Sequence, residues 1–202
     1  RDWSVTGVQT CALPIFPVGT TTVTYIATDA SGNVDSCSFN VTVQDTQFPT
    51  ISGCPIDITV PAAAGTCSEV VSWIAPSAFD NCPGVTLTSS HTPGSSFPVG
   101  NTLVTYTATD AAGNVTTCTF NVFVTETQAP VIAGCPSDIS VSNDAGICGA
   151  SVSWAVPVAT DNCTLVSFVS THNPGDIFPV GTTTVTYTAT DAAGNTATCS
   201  FD

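Results

Sequence analysis

The chain repeats itself at a fixed interval. FPVG begins at Phe16, Phe97 and Phe178, three evenly spaced positions; GCP recurs at Gly53 and Gly134, DNC at Asp80 and Asp161, and Trp73 is answered by Trp154, all at that same spacing. A repeat of roughly 80 residues is the size of a small domain, not of one solenoid turn. The 202 residues therefore divide into the C-terminal part of a truncated repeat at 16–47, a complete repeat at 48–128, and a third at 129–202 that lacks the end of its last strand. With no initiator Met, no secretion signal and a last repeat that stops at CSFD, both ends are expected to be cuts in a longer gene product. Each repeat must then bury a core of its own.

The first fifteen residues do not obey the interval. VTGVQTCALPI resembles the translation of a sequencing-library adapter, so residues 1–15 are read as an artefact and kept out of the fold reading, with Arg1, Trp3 and Cys11. Only 8% of the chain is charged and the net charge is −14, so hydroxyls, amides and a one-sided excess of carboxylates must keep it in solution. Arg1 is its only basic side chain. Such a surface cannot neutralise phosphates, which excludes nucleic acid and anionic lipid as partners. No apolar run is long enough for membrane insertion within this fragment.

The cysteines keep the same interval. Cys54, Cys67, Cys82 and Cys118 recur as Cys135, Cys148, Cys163 and Cys199, and Cys37 is the fourth cysteine of the truncated repeat. Four per repeat suits two disulfides and an oxidising compartment. Successive spacings of 13, 15 and 36 lack the close ligand pairs that structural zinc sites favour. Four cysteines allow three pairings, and sequence alone does not choose among them. Strand direction leans toward Cys54 with Cys118, at one end of a sandwich, which leaves Cys67 with Cys82; one repeat on, these become Cys135 with Cys199 and Cys148 with Cys163.

Between Cys54 and Val124 apolar residues alternate with polar ones: Ile56, Ile58, Val60; Cys67, Val71, Trp73; Val104, Tyr106, Ala108; Cys118, Phe120, Val122, Val124. Period two in short segments rich in Val, Thr and aromatics predicts strands, and the Pro and Gly clusters between them predict turns. The expected fold is all-β: tandem immunoglobulin-like antiparallel β-sandwiches. TYTATDAAGN, at 105–114 and 186–195 with a near copy at 24–33, reads as a strand and its hairpin turn. There the Asp accepts backbone N–H bonds, Gly113 takes a positive φ and Asn114 tolerates one. Trp73 follows Cys67 on the same expected strand face, which is not the core signature of a true immunoglobulin domain.

CPIDITVPAAAGTC, VSWIAPSAFDNC and HTPGSSFPVGNTLVTYTATDAAGNVTTCTFNVFV resemble the hyalin repeat, or HYR domain, and the resemblance covers residues 16–202. It implies a fold similar to fibronectin and immunoglobulin sandwiches, tandem arrangement in secreted and cell-surface proteins, and an association with adhesion; it carries no active site. Many members keep only the cysteines matching Cys54 and Cys118, which supports that pairing.

Three acidic positions per repeat obey the interval: Asp45 and Glu126 in linkers, Asp80 and Asp161 in DNC loops, Asp110 and Asp191 in TDAAGN hairpins. In repeats stacked head to tail, Asp45, Asp80 and Asp110 would form one set and Glu126, Asp161 and Asp191 another, the oxygen chemistry that Ca²⁺ accepts. The plainer reading has Asp80 and Asp110 capping turns. His91 and His172 stand beside Pro93 and Pro174, with no Ser and Asp arranged around them as a triad, and read as turn residues. NVT at Asn40 and Asn114 and NCT at Asn162 permit glycosylation in a eukaryotic host. The expected function is a non-catalytic extracellular spacer or adhesion region, secreted or cell-surface, with a protein or glycan at a cell surface as partner. The alternatives are an accessory region of a secreted hydrolase and a carbohydrate-binding module with an exposed aromatic platform.

Overall fold

The structure is a computed structural model that describes residues 15–202. The adapter-like stretch 1–15 thus lies, apart from Ile15, outside the described residues. Those residues hold seventeen strands and no helix, and none of their segments is a helix long and apolar enough to cross a membrane. They gather into two compact units: 15–50 with Ala78–Leu87 and Ala108–Thr116, and Ile51–Ser77 with Thr88–Thr107 and Thr117–Asp202.

The complete repeat is a β-sandwich. One sheet has the order Ile58–Pro61, Val115–Thr125, Gly100–Thr109, Thr86–Ser89. Short ladders pair Thr50–Ser52 with Ser77–Phe79, and Ser68–Val71 with Ser95–Pro98. The third repeat uses the same plan: Leu165–Ser170, Val185–Asp191 and Thr196–Phe201 form its larger sheet, with two short ladders beside it. One pairing departs from the antiparallel expectation, since Val122–Thr125 runs parallel to Ile58–Pro61. Ile58–Pro61 and the last strand of the repeat run in the same direction, and the intervening chain is long enough for the crossover that a parallel pair needs.

Alternation sets the core. Val104, Tyr106 and Ala108 from one long strand and Phe120, Val122 and Val124 from the next are buried. Each large side chain so buried contributes roughly 1.5–3 kcal/mol. Of the apolar residues expected to point inward, one does otherwise and another enters the core from outside its strand. Ile56 precedes its strand and is 85% exposed, and Trp73 lies past the end of Ser68–Val71. Trp73 reaches the core from the loop: its ring meets Phe120 and Phe97 edge-on at 5.2 and 5.9 Å, and its Nε1 donates to Tyr106 Oη at 2.8 Å. Trp154 repeats the arrangement with Phe201, Phe178 and Tyr187.

In the first repeat the described residues form the hairpin Gly19–Thr28 with Val34–Val43. Its Tyr25 and Phe39 are 63% and 49% exposed, whereas their counterparts one repeat on, Tyr106 and Phe120, are 4% and 2% exposed. The sequence is nearly the same; among the described residues no further strand pairs with this hairpin. A cleft of about 570 Å³ in the third repeat is lined by Ile139, Val141, Trp154, Phe178, Val185 and Phe201.

Candidate functional site at the repeat junction

The recurring decapeptide forms the turn that faces each linker. Asp110 Oδ1 accepts the Asn114 backbone N–H at 2.8 Å, Asp110 Oδ2 accepts Asn114 Nδ2 at 2.7 Å, and Gly113 adopts φ 93°. Asp191 and Asn195 repeat these bonds, and so do Asp29 and Asn33. Among the described residues no residue other than glycine has a positive φ. Asn114, which would tolerate a positive φ, does not take one. Its amide instead reaches past the turn to the linker, donating to Gln47 O at 3.1 Å and Asp45 O at 3.4 Å. Asn195 reaches Gln128 O in the same way.

Burial acts to raise the Asp110 carboxyl, but the Asn114 side chain and the backbone N–H groups of Asn114, Gly113 and Ala112 outweigh it and hold the group below the usual carboxylate range. Asp191 is held down likewise, against burial, by Asn195, Ala193 and Gly194. A folded group with a depressed pKa contributes fully above the unfolded value of about 3.9 and ceases to do so as pH falls through its lower folded value. Stability is therefore expected to drop below about pH 4. Asp110→Asn with Asp191→Asn should flatten that drop and lower the denaturant midpoint at pH 7. A midpoint unmoved by the two substitutions at both pH values would contradict this role.

The linker carboxylates meet the DNC loops. In the first compact unit, polar atoms of Asp45, Asp80 and Cys82 all lie within 4.8 Å of one another, and Asp80 Oδ2 accepts the Cys82 N–H at 2.9 Å. A hydrogen bond to Asp45, burial, and the charges of Asp45, Asp80 and Asp110 push the Cys82 thiol above its ordinary pKa. In the second unit the matching group is Cys67, Glu126 and Cys163. Asp161 Oδ2 accepts the Cys163 N–H at 2.8 Å, Glu126 Oε1 accepts the Gln128 N–H at 2.5 Å, and Glu126 Oε2 lies 2.7 Å from Cys163 Sγ. Asn162 Nδ2 donates to Glu126 Oε2 and to Thr66 O, both at 2.9 Å. The oxygens of Asp110 and Asp191 are engaged by their own turns, so the three carboxylates of each set are not equivalent. Asp80 Oδ1 and Asp161 Oδ1 are buried without a hydrogen-bond partner.

Cys54 is bonded to Cys118 and Cys135 to Cys199, with Cα atoms 6.1 and 5.9 Å apart. The other pairing must be corrected. Cys67 is bonded not to Cys82 but to Cys163, 96 residues on and in the next repeat, with Cα atoms 5.0 Å apart. Among the described residues Cys82, Cys148 and Cys37 are free thiols. The loop carrying Cys67 is held toward the next repeat by Gly65 N–H donating to Gln128 Oε1 at 3.0 Å and by Asn162 on Thr66, which puts Cys163 within reach. Spacing within one repeat carried no signal of this.

His91 packs on Phe97 at 5.1 Å with Nδ1 beside Ser90 Oγ, and His172 packs on Phe178 at 5.1 Å beside Thr171 Oγ1. Each belongs to its turn and core edge. Of the sequons, Asn114 and Asn162 have their amide nitrogens in junction hydrogen bonds, which a glycan would displace; Asn40 is exposed on its strand. Tyr106 and Tyr187 are buried and Trp73 and Trp154 are hydrogen-bonded to them, so these four form no exposed platform.

A family model for the HYR domain matches residues 10–43, 44–124 and 125–202. The chain belongs to the HYR domain family. It is 44% identical to hyalin of Strongylocentrotus purpuratus over 195 residues, which are 92% of this chain and 16% of that protein. To hyalin of Lytechinus variegatus it is 46% identical over 189 residues, 90% of this chain and 36% of that protein. The chain thus spans well under half the length of these relatives. Among solved structures, the protocadherin GammaB4 extracellular domain aligns over 91% of this chain and 37% of its own, at 16% identity and a TM-score of 0.38.

Proposed function

We propose that the chain is a non-catalytic stretch of an extracellular HYR array, a structural spacer or adhesion region of a larger secreted or cell-surface protein whose partners are proteins or glycans at cell surfaces. The disulfide set carries this reading. Three disulfides in tandem β-sandwiches, one of them tying neighbouring repeats together, require an oxidising compartment and suit a chain that bears load or holds a distance. The greater length of the hyalins supports placing it within a longer protein.

Fused to a secretion signal in eukaryotic cells, the chain is expected in the medium in oxidised form. Beads coated with that material should be retained on cell layers more than beads coated with the reduced, alkylated chain. Equal retention, with the secreted chain recovered as thiols throughout, would overturn the reading.

A further inference from the structure

Cys82 and Cys148 occupy the two halves of the Cys67–Cys163 link as it would appear one repeat away in either direction. Cys82 stands one full repeat before Cys163, and Cys148 stands one full repeat after Cys67. Their surroundings match as well as their positions. The N–H of Cys82 donates to Asp80 as that of Cys163 donates to Asp161, and the linker carboxylate of Asp45 stands beside the Cys82 sulfur as Glu126 stands beside Cys163. Cys67 leaves a turn closed by Ala63 N–H to Ser68 O and Thr66 N–H to Ala63 O. Cys148 leaves the same turn, closed by Asp144 N–H to Gly149 O and Ile147 N–H to Asp144 O. Cys148 is exposed on that turn.

We propose that Cys82 and Cys148 are the open ends of a disulfide ladder, in which each repeat of this four-cysteine pattern gives its second cysteine to the third cysteine of the repeat that follows. Cys82 accepts a cysteine from a preceding HYR repeat, and Cys148 supplies one to a following repeat. The partner is a neighbouring repeat of this same pattern, because only such a repeat brings the turn, the cysteine and the linker carboxylate together, as at Cys67–Cys163. Each bond forms by exchange with a small-molecule disulfide such as oxidised glutathione. One cysteine thiolate attacks it, releasing one glutathione thiolate, and the second cysteine thiolate then displaces the other. Two protein thiols are oxidised, one disulfide reagent is reduced to two thiols, and the two protons given up by the cysteines end on the two glutathione sulfurs. An array so linked cannot separate its repeats at a junction without breaking a covalent bond. The proposal rests on the oxidising extracellular setting and not on what the array binds.

Thiol counting tests it in the full chain. With Cys11→Ser and Cys37→Ser in place, the ladder leaves two alkylatable thiols, Cys82 and Cys148, whereas pairing within repeats leaves none. Adding Cys67→Ser raises the ladder's count from two to three by releasing Cys163; pairing within repeats gives one, Cys82. A second chain, in which residues 1–47 are replaced by another copy of 48–128, again shows two thiols if the downstream Cys82 is captured by the upstream Cys67. Cys67→Ser in the upstream copy alone then returns that Cys82 as a third. No thiols in either parent chain, or a Cys148–Cys163 peptide after Cys67→Ser, overturns the ladder. So does a downstream Cys82 that stays a thiol beside an intact upstream Cys67.

Discussion

Replacing Cys54 and Cys118 together by Ala is expected to destabilise the complete repeat by about 4 kcal/mol, the chain-entropy value for a loop of this length. The bond joins the start of the repeat to its last long strand across 64 residues, so losing it returns most of the repeat's loop freedom to the unfolded chain. For a domain of this size about 1 kcal/mol corresponds to roughly 4–8 °C, which puts the fall in thermal midpoint near 15–30 °C. Cys135 with Cys199 should behave alike in the third repeat. Calorimetry resolves the transitions, and a shift under about 5 °C would mean that the cores alone hold the repeats together.

The second large effect is expected at tryptophan. Trp154→Ala removes a ring that meets Phe201 at 5.2 Å and Phe178 at 6.0 Å, and it strips the hydroxyl of buried Tyr187 of its 2.8 Å partner. Cavity and unpaired hydroxyl together should cost about 4 kcal/mol. Trp154→Phe keeps most of the volume and loses the hydrogen bond, for about 1–2 kcal/mol, and Tyr187→Phe added to it should restore part of that by removing the stranded hydroxyl. Urea unfolding of the single and double variants checks the cycle. Additive losses would contradict the coupling of these two side chains.

The sequence makes the repeat and its strands plain because period two over Val104, Tyr106 and Ala108, or Phe120, Val122 and Val124, is a local pattern that the pleat of a strand obeys directly. Trp73 was harder to place, since a side chain can enter a core from a loop as well as from a strand. The role of Asn114 lay outside a turn-propensity argument, because its amide acts on Asp45 and Gln47, far back in the preceding linker. The junction bond is a different matter. Moving along the chain by one repeat leaves every cysteine spacing unchanged, so a partner in the same repeat and one in the next are the same letter at the same place on the interval. Only the fold around Thr66, Glu126 and Asn162 distinguishes Cys82 from Cys163 as the partner of Cys67.

The measurement that bears most directly on this account is a disulfide map of the native, oxidised chain, obtained by blocking thiols and sequencing the linked peptides. Linked peptides carrying Cys54 with Cys118, Cys135 with Cys199 and Cys67 with Cys163 are the predicted result, with Cys82 and Cys148 blocked. A peptide joining Cys67 to Cys82, or Cys67 and Cys163 both recovered as blocked thiols, would contradict an array whose repeats are covalently bound to one another.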